Sequence, residues 1–271
     1  MTALTWADVD FLAAAVKPEV HDRVRLKHLL ESDEDFRQAF VGHEEVVQRV
    51  ISDKEVFIKI SPRLYFEILL RQARRDLQGA SFTVEKIGTQ KVAVFDTPEV
   101  VNLLARPPML YYLAEMLSSF TRIESYTISY RVGEGVWRKL RFSDLDLESL
   151  ISLCDWVEED YRLGFFKRIA DICLFISGIF PDFITASSHY PFSGDKRPPL
   201  RGILRWSPTD YQQEGQKFYR LAAEHRQAEI LNLSEIFQTL SQDFPKAVKP
   251  LSFMAQHYFP AQRRQLFNVA S

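Results

Sequence analysis

Asp171 stands inside an apolar run, Ile169-Ala170-Asp171-Ile172-Cys173-Leu174-Phe175-Ile176, where a carboxylate needs a partner. Taking an unpaired charge out of water is expensive. Arg168 lies three residues earlier, on the same side of a helix, and is the expected counter-ion. In the simpler reading this pair is structural and holds its helix against Tyr211 or Tyr219. In the other, Arg168, Asp171, Tyr211 and Tyr219 line a small-molecule pocket, because buried ion pairs also mark sites.

The remaining constellations carry less chemistry. His21 and His28 lie seven apart and can share a helix face, but no Glu-x-x-His or His-Glu-x-x-His pattern accompanies them. They read as surface residues, and no metal site is expected. Asp8/Asp10 and Asp144/Asp146 are acidic pairs that helix-start carboxylates explain more simply. Gly133 and Gly135 sit in a hairpin turn, not in a phosphate loop. Cys154 and Cys173 lack a base nearby in sequence and read as buried thiols. Arg71, Arg74 and Arg75, with Arg138, Lys139 and Arg141, form a candidate basic patch near Tyr130 and Trp137. Solvated charge is the commoner fate of such residues, so nucleic-acid binding through the 138–141 hairpin is a third-ranked expectation.

The string Arg168-Ile-Ala-Asp171 through Gly178-Ile-Phe-Pro181, followed by Tyr211-x-x-x-Gly215-x-x-x-Tyr219, resembles a pattern in a family of bacterial all-helical proteins. That family has the order Arg-x-Gly-Asp, Gly-x-Phe-Pro, Tyr-x-x-x-Gly-x-x-x-Tyr. The resemblance covers about a fifth of the chain, and Ala170 stands where the pattern has glycine. It implies a helical fold and no particular activity.

The elements that must position these residues are mostly helices. Ile60 to Leu77 is the stretch around which the first half is organised. Ser61 is placed to cap a helix, and Pro62 suits the first helical position, where its missing donor costs nothing. Phe66, Leu70, Ala73 and Leu77 recur four, three and four apart, widened by Leu64, Ile68 and Leu69. Arg63, Glu67, Arg71 and Arg74 share the remaining, polar face, where they can pair along the helix. Val56 to Ile60 reads as an extended linker into it.

Upstream, Thr5 with Asp8 and Ser32 with Asp35 mark helix starts, and Gly42 ends a helix before His43 begins the next. After Leu77 the period changes to two around Phe82–Lys86 and Val92–Phe95, and again around Tyr126–Tyr130 and Val136–Phe142. These are hairpin signals. From Ser143 onward the pattern is helical: a helix opened by Ser143 and Asp146, an all-round apolar helix from Phe165 to Ile179, and three more after Ser207. Gly215 is expected to admit a close helix neighbour. The stretch from Thr185 to Arg205 has loop composition.

The fold expected is therefore mainly α, a multi-helix bundle-like core with one or two small antiparallel β-hairpins. Two halves are expected, residues 1–142 with the hairpins and 143–271 all-helical, packed as one unit. A length of 271 residues suffices for a sizeable core, and 46% hydrophobic with 26% charged residues is ordinary globular composition. A net charge of −2 gives no bulk attraction to nucleic acid or anionic membrane. The two cysteines point away from a disulfide framework, and the N-terminal MTALTWADVDF is acidic where a secretory leader is basic. A cytoplasmic protein with no membrane association, no cofactor and an unidentified protein partner is the leading expectation. Its role would be non-catalytic interaction or regulation.

Overall fold

The central helix forms where its caps and periodicity place it. In a computed structural model of the chain, Ser61 accepts from the Leu64 amide through its side chain, Pro62 occupies the first turn, and the helix runs Pro62–Gln78. The structure describes residues 3–16, 19, 21–53, 55–80, 83–87, 90–94, 96–122, 125–133, 136–143, 145–181 and 206–267. Of 83–87, 90–93, 125–133 and 136–143 it describes the backbone alone. The expected loop from Thr185 to Arg205 lies outside the described residues.

The chain is mainly α-helical. Its elements are α1 (Trp6–Val16), α2 (Arg23–Ser32), α3 (Glu34–Val41), α4 (Glu44–Ser52), α5 (Val56–Lys59), α6 (Pro62–Gln78), β1 (Thr83–Ile87), β2 (Gln90–Val94), α7 (Thr97–Ala105) and α8 (Pro107–Ser119). There follow β3 (Ser125–Gly133), β4 (Val136–Ser143), α9 (Leu147–Cys154), a 3-10 turn (Glu159–Tyr161) and α10 (Arg162–Ile179). The described chain closes with α11 (Pro208–Glu224), α12 (Arg226–Ile230), α13 (Ser234–Gln242), α14 (Phe244–His257) and α15 (Arg263–Leu266).

These elements form two compact units: Met1–Ser119 with Lys249–Pro260, and Phe120–Val248 with Ala261–Ser271. A boundary at 142/143, where the periodicity changes, falls inside the second unit. Periodicity reports local structure, whereas membership of a unit is set by contacts between elements remote in sequence.

In the first unit α6 packs against α4, α7 and α8, and α1 packs against α2 and α4. Thr5 and Asp8 make the reciprocal cap of α1, each amide donating to the other's side chain at 2.9 and 3.1 Å. Asp8 does more than cap. Its carboxylate also accepts from the Ser61 amide at 2.7 Å and the Ser61 hydroxyl at 2.9 Å, so one buried acid joins the starts of α1 and α6. Lys249 Nζ donates to Asp96, Tyr258 donates to Asp76 at 2.6 Å, and Phe259 meets Phe66 edge-on at 6.3 Å. β1 pairs antiparallel with β2, with Thr83 opposite Val94.

In the second unit α10 lies against α9 and α11, and α11 against α13. Gly215 on α11 makes that packing possible. A methyl group there would fall 2.3 Å from the Phe244 ring and 3.0 Å from Cys173 Cβ. Phe175 stacks on Phe120 at 4.1 Å and meets Phe267 edge-on at 4.9 Å. β3 pairs antiparallel with β4 from Ser125–Ser143 inward, with an irregularity between Arg131 and Gly133. Each described sheet has two strands.

Three local expectations are corrected. Val56–Lys59 is a helical turn, not an extended linker. It buries Val56 and exposes Ile58, so tertiary packing overrides the β-branched preference. Asp33, not Ser32, caps α3, and Asp146, not Ser143, caps α9. In each case the acid stands immediately before the first helical residue, where its oxygen reaches the free amides.

Candidate functional site

α10 is buried without a break from Ile169 to Ile176, and Asp171 stands within that stretch with no exposure. Lys167, one turn earlier, brings Nζ to 2.6 Å from one carboxylate oxygen. The Tyr219 hydroxyl of α11 donates to the other at 2.8 Å. Tyr219 is itself buried and stacks with Phe237 of α13 at 6.1 Å. The carboxylate therefore ties α10 to α11, and both of its oxygens are engaged.

The four candidates of the sequence are only partly brought together. Asp171 and Tyr219 meet. Arg168 lays its guanidinium over the Phe120 ring at 4.0 Å, an aromatic face that suits a planar, weakly hydrated cation. Lys167 supplies the cation shown on Asp171, because i,i+4 spacing reaches along the helix as well as i,i+3 does. Tyr211 is buried beside Trp206, ring centroids 5.5 Å apart, and burial raises its hydroxyl pKa.

These contacts set the expected response to Asp171→Asn. Lys167 keeps 34% of its side-chain surface in water, so its charge can turn outward when the carboxylate is removed. The loss should be about 1–3 kcal/mol, the range of a charge-assisted hydrogen bond, and less than for a fully enclosed pair. Denaturant midpoints of wild type and Asp171→Asn measure it. A stable variant that had lost a binding activity would restore the pocket reading.

The thiols are poorly disposed to react. Cys154 donates to the Leu150 carbonyl at 3.3 Å, and burial pushes its pKa up to about 11. Burial pushes Cys173 higher still. Both cysteines are free, and the thiolate, which is the nucleophile, is disfavoured at each. His28 approaches Ser32 through Nδ1 at 3.2 Å, and His21 lines a mainly apolar cavity of about 510 Å³ with Leu26, Phe36 and His43. Among the described residues no three His, Cys, Asp or Glu side chains converge as metal ligands would. Arg138, Lys139 and Arg141 stand opposite Tyr130, Ser129 and Thr127 in the β3–β4 register, and their side chains lie outside the described part.

The most concentrated chemistry lies in the first unit, on the polar face of α6. Glu67 is fully buried there, and so is Arg37 of α3. Arg37 grips the carboxylate with two donors, Nε at 2.9 Å and Nη2 at 2.6 Å. Arg71, one turn along α6, adds Nε at 3.2 Å and Nη2 at 3.0 Å, and its Nη2 also reaches Glu34 at 3.0 Å. Tyr111 of α8 closes the array: its hydroxyl donates to Glu34 and accepts from Arg71 at 3.2 Å, beneath the Arg37 guanidinium at 5.1 Å. Two arginines thus face two carboxylates around one phenol.

No family model, curated protein or solved structure matches this chain.

The chemistry of the array follows from its geometry. Burial opposes the charge on Glu67, but hydrogen bonds and attraction from Arg37, then Arg71, outweigh it and hold the carboxyl below its usual value. Burial likewise opposes the Arg37 charge, and Glu67 more than offsets it. The Tyr111 hydroxyl is pushed up by burial first and by Glu67 and Glu34 next. With Glu67 held in its charged form by Arg37, this hydrogen-bonded set is suited to holding α3, α6 and α8 in register.

Sequence reasoning reached Glu67 and Arg71, whose expected pairing along the helix forms at 3.0 Å, but it passed over Arg37. The available signal was the width of the apolar stripe on α6. A helix apolar around most of its circumference leaves its few charged residues enclosed as well, so their partners had to come from other helices.

Proposed function

We propose that the chain is a non-catalytic interaction protein of the cytoplasm, built on a helical, bundle-like core and engaging a protein partner through its second unit. One observation carries the reading. Trp156, Tyr161, Ile230 and Leu231 are 58–80% exposed, and they belong to two segments that are tied together. The tie is His225. Its Nδ1 accepts from the Gln227 amide at 3.2 Å, so Nε2 carries the proton and donates to the Glu159 carbonyl at 2.8 Å. The 3-10 turn after α9 and the start of α12 are thereby neighbours.

Large aromatic and aliphatic side chains presented together are the composition of an interface core. Lone exposed apolar residues are ordinary, but two on each of two joined segments are less so. The compartment is consistent with two buried free thiols. Among the described residues no helix is long and apolar enough to cross a membrane.

The test is recovery of partners from the native host by the intact chain and by a Trp156→Ser, Ile230→Ser double variant. Both positions are exposed, so the variant should keep the wild-type unfolding midpoint. The expected result is a discrete protein retained by wild type and lost from the variant. An identical set of proteins retained by both would refute the reading.

A further inference from the structure

We propose that the cavity between α3 and α6 binds a tetrahedral phosphoryl oxyanion. It is lined by Arg71, Arg74, Arg75 and Gln78 of α6 and Gln38 of α3. This goes beyond the protein-interaction reading and rests on different residues in the other unit.

The polar groups that line it are three guanidiniums and two carboxamides. Positions 71, 74, 75 and 78 lie on one face of α6, so three guanidiniums crowd within one turn, an arrangement that repels itself without a counter-charge. Arg71 is already balanced by Glu67 and Glu34. Arg74 and Arg75 are not: among the described residues neither forms an ion pair, and no carboxylate lines the cavity. The acid nearest in sequence, Asp76, is engaged by Gln72 and Tyr258, each at 2.6 Å. Arg74 Nε is enclosed and has no hydrogen-bond partner.

The cavity also has a held wall. Arg75 donates to the Gly42 carbonyl at the end of α3, where the helix dipole favours a cation. Gly42 makes room for it, since a methyl group there would fall 2.2 Å from Arg75 Nη2 and 2.8 Å from the Gln38 carbonyl oxygen. The guanidinium fork is consequently fixed before any ligand arrives, which lowers the ordering cost of binding.

Size and donor arrangement define the ligand. The space is about 180 Å³, below the range of roughly 300–1,000 Å³ that holds drug-sized ligands. Guanidinium forks on α6 and a carboxamide on α3 address the ligand from two sides. A planar carboxylate satisfies one fork, whereas a tetrahedral oxyanion presents oxygens to several donors at once. The charge supplied by Arg74 and Arg75 matches a phosphate dianion.

The test is titration of the intact chain with inorganic phosphate, phenyl phosphate and acetate at matched ionic strength, followed by the unfolding midpoint and by calorimetry. Saturable binding of phosphate is expected, with acetate at least tenfold weaker. Arg74→Gln should weaken phosphate at least tenfold. Gln78→Glu, at an exposed position, puts a carboxylate among the guanidiniums and should abolish the response while leaving the fold intact, so it decides the matter even if Arg74→Gln unfolds. Phenyl phosphate equal to inorganic phosphate would assign the site to a phosphoryl group carried on a larger molecule, and phosphate alone would assign it to the free ion. Acetate binding as well as phosphate, no saturable phosphate binding, or unchanged affinity in Gln78→Glu would each overturn the proposal.

Discussion

Glu67→Gln is expected to lower stability by about 3–5 kcal/mol, because it strands a buried cation. The neutral isostere keeps the shape of the side chain and removes the charge that Arg37 holds with two donors. Neither residue has any exposed surface, so Arg37 cannot recover its hydration without disrupting α3. The double replacement Arg37→Met with Glu67→Leu should regain much of the loss, since it leaves no unpaired charge between those two positions. Urea midpoints of wild type, single and double variants make the comparison, and a single variant within about 1 kcal/mol of wild type would mean that water reaches Arg37.

The same pair predicts a sign for the pH dependence. The folded-state pKa of Glu67 lies below its ordinary value, so the unfolded chain takes up the proton more readily than the folded one. The stabilisation from Glu67 is complete above the ordinary glutamate range of about 4.3 and disappears as pH falls through the lowered, folded value. In Glu67→Gln this contribution to acid unfolding should be missing.

Leu70→Ala is expected to cost about 2–5 kcal/mol, the sum of lost transfer energy and the cavity left behind. Leu70 is completely buried on α6, the helix against which α4, α7 and α8 all pack. No single neighbour can close a void there without leaving another. Arg63→Ala on the same helix is the control. Its Nε pairs at 3.0 Å with a largely exposed Glu115, and its Nη2 is enclosed without a hydrogen-bond partner, so its removal should cost about 1 kcal/mol or less. Equal denaturant midpoints for the two variants would contradict the burial of Leu70.

The helical character of the chain was legible in its sequence because caps and periodicity are local. Ser61-Pro62 and Ser207-Pro208 stand at helix starts, and the Ser207/Asp210 capping box closes in both directions. Gly215 was legible for a related reason, since the smallest residue in an apolar helical stripe marks a close approach. What was not legible is pairing across distance. Nothing in the spacing of α6 points to Arg37, 30 residues away, and nothing around Asp8 foretells its hold on Ser61. For Asp171 the need for a partner was correct, and so was Tyr219. The choice among cations one turn away turned on Phe120, whose ring covers Arg168.

The first unit is discontinuous: it contains Met1–Ser119 but is completed by Lys249–Pro260. During synthesis its leading part must therefore wait for 260 − 119 = 141 further residues before its last segment exists. At ribosomal rates of about 5–20 residues per second that interval is roughly 7–28 seconds. Until that segment is made, Phe66 lacks Phe259, Asp96 lacks Lys249 and Asp76 lacks Tyr258. The nascent chain thus has a window of vulnerability set by its topology, and chaperone holding or premature proteolysis would act there first.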